Sequence, residues 1–436
     1  MSTSSALPRP APTVGDSRWF VHDRFGLFVH WGIYALPARH EWVKSRERIP
    51  DAAYQRYFEH FDPDLYDPRE WARDARAAGM RYAVLTTKHH DGFCLWDSRL
   101  TDYKATNTPA GRDLVREFVD AFRAEGLRVG FYHSLIDWHH PEFPLDVFHP
   151  QRDDAAARAQ SRERDVRKYA EYLHGQVREL LTGYGRIDVM WLDFSYPGRA
   201  YEGMSGKGRD DWGSERLVAM IRELQPHVLI DNRADVPGDF HTPEQLQPDG
   251  WVEVGGEPVI WEACQTLNGS WGYDRDNLDW KPPDLLVRML VDTVSKGGNL
   301  LLNVGPTARG EFDPRARATL AAIGAWTRLH GRSIYGATAS ALSPPVDCRF
   351  TQREDRLYVH LFAWPFKHLS LRGLGGKVAY AQLLNDGSEI RVVDGGGERG
   401  QPSPIERNVS AGDAALVLPV QRPDVLVPVV ELFLRT

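Results

Sequence analysis

Titratable side chains cluster where the apolar segments of this sequence end. His30 follows the apolar run in "RFGLFVHWG", and His89 and His90 follow the one in "RYAVLTTKHHDG". Three later segments end at Tyr132-His133-Ser134, at Trp191-Leu192-Asp193 and at Asp231-Asn232-Arg233. One histidine or aspartate in such a place is more often a hydrogen-bonded structural residue. Five segments that all end in this way predict a pocket with converging polar groups.

Two chemistries fit such a pocket. His30, His89, His90 and Asp193 are residue types that bind a divalent metal and activate water. However, the His-x-His and His-Glu-x-x-His spacings that bring two imidazoles onto one metal are absent, so we expect no metal. The second chemistry is sugar hydrolysis, which needs two carboxyl groups and aromatic walls. The sequence has 14 tryptophans, several of them beside the polar segment ends, but aromatic composition alone leaves the two chemistries undecided.

Alternating strands and helices must position these side chains. Near-continuous apolar runs, typical of strands buried on both faces, alternate with amphipathic segments from about Arg24 to Gly336. We therefore predict an α/β fold, a TIM-like (β/α) barrel, with an open doubly wound sheet as the rival. Seven strands are clear, so the eighth is missing or irregular. After Gly336 short strands separated by turn signals predict a small antiparallel β-sandwich domain. The expected domains are residues 1–336 and 337–436.

Composition limits the partners. The net charge is -7 and no run of lysine or arginine occurs, so we expect neither nucleic-acid nor membrane binding. The cysteines are few and odd in number, at Cys94, Cys264 and Cys348, and no apolar stretch of signal-peptide length occurs near residue 1. We therefore expect a cytoplasmic protein.

Eight sequence blocks, in the same order from about Trp19 to Gly336, resemble those of the retaining α-L-fucosidases of glycoside hydrolase family 29. They are "RFGLFVHWGIYALPARHEWV", "KHHDGFCLWDS", "GFYHS", "MWLDF", "DNR", "GDFHTPE", "SWGY" and "GGNLLLNVGP". The resemblance implies hydrolysis of terminal α-L-fucosides with retention of configuration, without a cofactor, on a fucosylated oligosaccharide or glycoconjugate. It leaves monomer and homo-oligomer both open. A metal-dependent barrel hydrolase and a barrel that binds fucose without cleaving it are the alternatives.

The resemblance also implies roles for individual residues. Asp193 matches the nucleophile, and Glu244 of "HTPE" matches the acid/base better than its rival, Glu262 of "WEAC". Glu244 lies in "VPGDFHTPEQLQPDG", whose glycines and prolines predict a loop beyond the fifth strand that is able to swing over the scissile bond. The positions that match contacts to the fucose hydroxyls, ring face and methyl group are His30, Glu41, Trp42, His89, His90, Tyr132, Trp191, Arg233 and Trp271. Glu262, if it is not the acid/base, is expected to orient Arg233 or a histidine in the same substrate-binding set. Phe194 departs from the pattern, because many relatives have a small residue there, and we expect it to narrow the pocket floor or alter the leaving-group side.

Overall fold

Seven parallel strands form the central sheet of the protein, whose structure is a computed structural model that describes residues 7–395 and 408–435. The strands are β1 (Phe25–Val29), β2 (Tyr82–Lys88), β3 (Arg128–Ser134), β4 (Val189–Asp193), β5 (Leu229–Ile230), β6 (Glu262–Thr266) and β7 (Asn299–Val304). Their order in the sheet is β6-β7-β1-β2-β3-β4-β5. Every residue of β1, β2, β4, β6 and β7 is buried, as expected for strands covered on both faces.

Helices surround this sheet and connect its strands. They are α1 (Arg18–Asp23), α2 (Val43–Arg46), α3 (Asp51–Glu59), α4 (Pro68–Ala77), α5 (Leu114–Ala124), α6 (Ala155–Ser161), α7 (Val166–Gly183), α8 (Arg209–Trp212), α9 (Ser214–Leu224), α10 (Pro283–Ser295) and α11 (Pro314–His330). Aspartate side chains cap the first turns of α4, α5 and α7, where backbone N–H groups lack partners within the helix. None of the helices in the described ranges is long and apolar enough to cross a membrane.

Residues 240–244 lie between β5 and β6, where an eighth strand would be. Parallel bridges link Asp231 to Phe240, His241 to Trp261 and Glu244 to Cys264. The backbone amide of Cys264 donates to the carbonyl of Pro243 at 3.0 Å. Because Pro243 has no N–H group, the segment cannot form a regular ladder on both sides. The expectation of an irregular eighth strand is confirmed, and the predicted TIM-like barrel is present.

The chain after Gly336 forms two antiparallel sheets. The strands are β8 (Cys348–Arg353), β9 (Arg356–Leu361), β10 (His368–Leu371), β11 (Val378–Leu383), β12 (Arg391–Asp394), β13 (Ala414–Val417) and β14 (Val429–Leu434). One sheet has the order β8-β9-β14-β11 and the other has the order β10-β13-β12. Apolar side chains of both sheets, among them Leu357, Leu371, Leu416 and Leu432, share one buried core. The predicted β-sandwich is therefore present.

Contacts with α10 and α11 attach the sandwich to the barrel. The indole Nε1 of Trp326 donates to the carbonyl of Val427 at 2.7 Å, and Nε of Arg349 lies 2.6 Å from Oδ1 of Asp292. Two short hairpins, Ala200–Tyr201 with Met204–Ser205 and Glu253–Val254 with Glu257–Pro258, complete the described secondary structure apart from three short 3-10 turns. All seven strands of the central sheet precede Gly336 in the chain, so the site at their carboxyl ends is built from barrel residues.

Candidate active site

The carboxyl ends of the barrel strands open into a cavity. Its lining contains ten of the twelve side chains expected from the sequence, together with three others. The lining residues are Phe28, His30, Trp42, His89, His90, Tyr132, Trp191, Asp193, Phe194, Arg233, Glu244, Cys264 and Trp271. Glu41 and Glu262 are the two expected residues that do not line the cavity.

Asp193 is the last residue of β4, and its carboxylate is fixed from two sides. The hydroxyl of Tyr132 donates to Oδ2 at 2.7 Å, and Nη1 of Arg233 donates to Oδ1 at 3.0 Å. Burial raises the pKa of Asp193, whereas Arg233 and the Tyr132 hydroxyl oppose that rise. Two donors that bind the ionised form give a carboxylate of fixed orientation at the cavity floor, which is what a nucleophile requires.

Arg233 joins this aspartate to a second carboxylate. Its Nη2 lies 2.7 Å from Oε2 of Glu244, while its Nε donates to Oγ1 of Thr242 at 2.7 Å. Burial works against the charge of Arg233, but Asp193 and Glu244 raise its pKa above the ordinary value. The guanidinium also lies over the indole of Trp191, 4.5 Å from the ring centroid. Arg233 is thus held in place by four groups and keeps both carboxylates near each other.

The position of Glu244 differs in one respect from the sequence expectation of a loop able to swing. Its backbone belongs to the irregular eighth strand, where Gln245 donates its amide to the carbonyl of Cys264 at 3.0 Å. The side chain is 42% exposed, in contrast to 10% for that of Asp193. Movement of Glu244 is therefore a change of side-chain rotamer on a fixed backbone.

Two buried imidazoles are held by residues that the sequence analysis did not identify. Nδ1 of His30 lies 2.7 Å from Oδ1 of Asn303, whose amide nitrogen donates to the carbonyl of Trp271. Nδ1 of His90 lies 2.7 Å from Oγ of Ser134, whose hydroxyl donates to the carbonyl of Ile136. Because each partner atom accepts, each histidine carries its proton on Nδ1. Ser134 is one of the polar residues at the strand ends named above, whereas Asn303 was indicated only by its place in the block "GGNLLLNVGP".

The charge state of these imidazoles follows from burial. Desolvation lowers the pKa of His30 to about 3 and the pKa of His90 well below its ordinary value. A neutral ring protonated on Nδ1 has an unprotonated Nε2, which accepts a hydrogen bond. Both side chains line the cavity, so each is suited to accept from a hydroxyl group of a ligand.

His89 and His90 both line the cavity although they are sequence neighbours. β2 ends at Lys88, and the pairing register with β3 shifts between Thr86 and Lys88, so strict alternation no longer applies. The two rings are 4.0 Å apart between centroids. Nδ1 of His89 has no hydrogen-bond partner among the described residues, so a bound hydroxyl would satisfy a buried polar atom.

Glu41 lies behind the cavity wall. It is 4% exposed, and its Oε2 accepts the backbone amide of Gly272 at 2.7 Å. Burial raises its pKa. The residue before Gly272 is Trp271, whose ring lies 5.1 Å from that of His30. Glu41 therefore anchors the loop that carries Trp271, and its direct contact with substrate stays a prediction.

Glu262 lies inside the barrel, below the cavity, on the strand that also carries the lining residue Cys264. It is the first residue of β6 and is fully buried, with its carboxylate facing the hydroxyl of Tyr82 and, at 3.3 Å, the indole Nε1 of Trp191. Burial raises its pKa to about 7, although both of these donors oppose the rise. The place of Glu262 in the substrate-binding set stays a prediction. Its hydrogen-bond partner Trp191 lines the cavity.

Phe194 lines the cavity directly after Asp193, with a φ of 90°. A bulky residue with this backbone conformation is an outlier, since only glycine adopts the conformation without strain.

Among the described residues, no group of three or more histidine, cysteine, aspartate or glutamate side chains could hold a metal ion.

Comparison with known proteins agrees with this arrangement. A sequence model of the family described as alpha-L-fucosidase matches residues 12–332. Human plasma alpha-L-fucosidase is 29% identical over 381 residues, which cover 80% of this chain and 76% of the human protein.

Solved structures are similar along almost the whole chain. The alpha-L-fucosidase isoenzyme 1 from Paenibacillus thiaminolyticus has a TM-score of 0.89 and 50% identity, and the match covers 96% of this chain and 99% of that one. A GH29 alpha-L-fucosidase from Bacteroides thetaiotaomicron, trapped as a covalent intermediate with 2-fluoro-fucosyl fluoride, has a TM-score of 0.80 and 27% identity over 98% of this chain and 100% of its own. The family model spans well over half of the sequence, and this chain therefore belongs to the α-L-fucosidases of glycoside hydrolase family 29.

Proposed function

We propose that Asp193 is the nucleophile and Glu244 the general acid and base in the hydrolysis of terminal α-L-fucosides with retention of configuration. One observation carries this assignment, namely that the guanidinium of Arg233 binds both carboxylates in a single cavity. A guanidinium is small, so the two carboxyl groups lie close together. Retaining glycosidases need such a short separation, because one carboxylate attacks the anomeric carbon directly.

The reaction has two displacements. The carboxylate of Asp193 forms a bond to the anomeric carbon while the bond to the glycosidic oxygen breaks, and Glu244 donates its proton to that oxygen. Water then attacks the same carbon, its proton passes to Glu244, and the ester bond to Asp193 breaks. Before the first step the side chain of Glu244 must leave Arg233, since the acid is protonated and an ion-paired carboxylate is not.

The remaining side chains bind the sugar. Nε2 of His30 and Nε2 of His90 accept from fucose hydroxyls, because their Nδ1 protons are held by Asn303 and Ser134. Trp271 supplies an apolar surface beside His30. Arg233 supplies the donors for the remaining oxygens once Glu244 has moved. The substrate is a fucosylated oligosaccharide or glycoconjugate, and family membership favours its hydrolysis over binding alone or a metal-dependent reaction.

The cysteines support a cytoplasmic location for the enzyme. Cys94, Cys264 and Cys348 are all free and buried, as is common in a reducing compartment. Fractionation of the source cells would test this location, and recovery of the activity outside the cytoplasm would contradict it.

The acid/base assignment is tested with Glu244→Ala and Glu262→Ala, each assayed on a fucoside with a good leaving group and one with a poor leaving group. An acid is needed only where the leaving group is basic, so Glu244→Ala should lose far more rate on the poor leaving group. Added azide should restore turnover of the good one and yield α-fucosyl azide, because azide occupies the space of the lost carboxylate and displaces Asp193 from the β-linked fucosyl-enzyme with overall retention of configuration.

Glu262→Gln is the matched control that keeps the volume of the buried side chain. It should retain turnover on both substrates, since Glu262 lies outside the cavity. If Glu262→Ala alone showed the leaving-group effect and the azide product, the assignment of Glu244 would be wrong.

A further inference from the structure

Trp42 and Phe194 line the cavity and both contact Phe148, and we call these three aromatic side chains the aromatic shelf. The ring centroids lie 5.5 Å apart for Trp42 and Phe148, 5.3 Å for Trp42 and Phe194, and 5.1 Å for Phe148 and Phe194. All three rings remain half-buried, while the residues beneath them are fully buried. Apolar surface that stays exposed at the edge of a polar cavity is characteristic of a binding site.

The shelf is assembled from three separate loops of the barrel. Trp42 follows β1, Phe148 lies in the connection after β3, and Phe194 follows β4. The hydroxyl of Ser45 donates to the carbonyl of Phe148 at 2.6 Å, which fixes the second of these loops against the first. The rings therefore have defined positions before any ligand arrives.

Phe194 adopts this position at a conformational cost. Its φ of 90° lies in the left-handed region, which favours glycine, yet the residue carries a large ring that contacts His90 as well as the shelf. Strained backbone persists where the surrounding structure holds it, and it is concentrated at functional sites. The position next to Asp193 puts this ring close to the carbon at which the glycosidic bond is broken.

We propose that the aromatic shelf is the subsite for the leaving group, and that it binds the apolar face of an aryl or pyranose ring. The inference rests on the proposed roles of Asp193 and Glu244. The polar cavity takes the fucose, so the part of the substrate that emerges toward solvent is the group attached to the anomeric oxygen. A flat ring that leaves the cavity beside Phe194 would cover apolar surface of the aromatic shelf that is otherwise exposed to water.

Leaving groups of different size test the shelf. Fucosyl fluoride has no ring to place on it, a 4-nitrophenyl fucoside has an aryl ring, and a fucosyl disaccharide has a pyranose ring. Phe194→Ala should lower kcat/KM about three- to tenfold on the two ring-bearing substrates, as expected for loss of one ring contact, and less than about twofold on the fluoride. Phe194→Tyr, which keeps the ring, should stay near the unmodified enzyme on all three.

Two further variants control for folding. Phe194→Gly accepts a φ of 90° without strain and should show the same substrate pattern as Phe194→Ala. Phe366→Ala removes a ring that is 73% exposed on the sandwich domain and should change nothing.

Three outcomes would overturn the shelf as a binding subsite. They are an equal loss on fluoride and ring-bearing substrates, no loss on any substrate, or a gain on the disaccharide, which would make Phe194 a barrier. Failure of the unmodified enzyme to hydrolyse any of the three fucosides would instead contradict the proposed function.

Discussion

The change Glu262→Gln should make the stability of the protein less sensitive to pH. Burial raises the pKa of Glu262 from 4.5 to about 7, so the folded protein favours the protonated carboxyl group. The stability that this group contributes is present below pH 4.5 and is lost as the pH rises toward 7, because the unfolded chain ionises first. The full difference corresponds to about 3 kcal/mol. Most of it is lost between pH 5 and pH 8.

Glutamine is a mimic of the protonated acid at this site. Its amide oxygen accepts from Nε1 of Trp191. The hydroxyl of Tyr82, which donates to the carboxylate, turns to accept from the amide nitrogen, as it does when the protonated acid donates through the same oxygen. The variant should therefore resemble the unmodified protein at low pH and exceed it in stability at high pH.

Thermal melting at pH 5, 6, 7 and 8 measures the effect. The unfolding entropy of a chain of 436 residues is about 0.9 kcal/mol per kelvin, so Tm of Glu262→Gln should rise by about 2 to 3 °C relative to the unmodified protein between pH 5 and pH 8. Glu257→Gln, at an exposed hairpin position, is the matched control and should show no such trend. A Tm difference that does not change with pH, or one that favours Glu262 at pH 8, would refute the reasoning.

Three other outcomes are expected. Asn303→Ala removes the acceptor that fixes the Nδ1 proton of His30, so kcat/KM on an aryl fucoside should fall about tenfold. Asn107→Ala, at an exposed position, is the control and should leave kcat/KM unchanged. An unaffected Asn303→Ala enzyme would contradict the tautomer assignment. Activity after dialysis against excess chelator should equal that before it, and a loss restored by zinc or manganese would restore the metal hypothesis. We also propose that the two domains meet near Gly336. Elastase should therefore cut first in residues 341–347, where Val346 is 89% exposed, and the two fragments should remain associated. A first cut elsewhere in the described ranges would place the domain boundary elsewhere.

Much of the site could be predicted from local sequence patterns. A buried parallel strand is a continuous apolar run, and the residue where the run stops lies at the carboxyl end of the barrel. This is why Asp193, His90 and Tyr132 could be placed together without a structure.

The positions of some residues could not be predicted, because they depend on contacts between segments that are distant in sequence, which no local pattern encodes. Glu262 is the first residue of its strand, two residues before the lining residue Cys264, so it lies below the cavity, although its apolar surroundings resemble those of the other segments. Glu41 precedes Trp42 in the chain but faces the backbone of Gly272, which is remote in sequence. Pro243 made residues 240–244 look like a loop, because hydrogen bonds to β6 cannot be inferred from the segment itself. Hydrogen bonds between segments that are distant in sequence could be identified only from the structure.

Trapping of the covalent intermediate tests the central claim most directly. The enzyme is incubated with 2-fluoro-fucosyl fluoride, whose fluorine at carbon 2 disfavours the oxocarbenium-like transition states while the fluoride leaving group still permits the first displacement. Mass spectrometry of the intact chain and of its peptides then locates the added 2-fluorofucosyl group. The account predicts one group per chain, attached to Asp193, and no label on Asp193→Ala. Label on any other carboxylate of the cavity, or label on the Asp193→Ala variant, would contradict it.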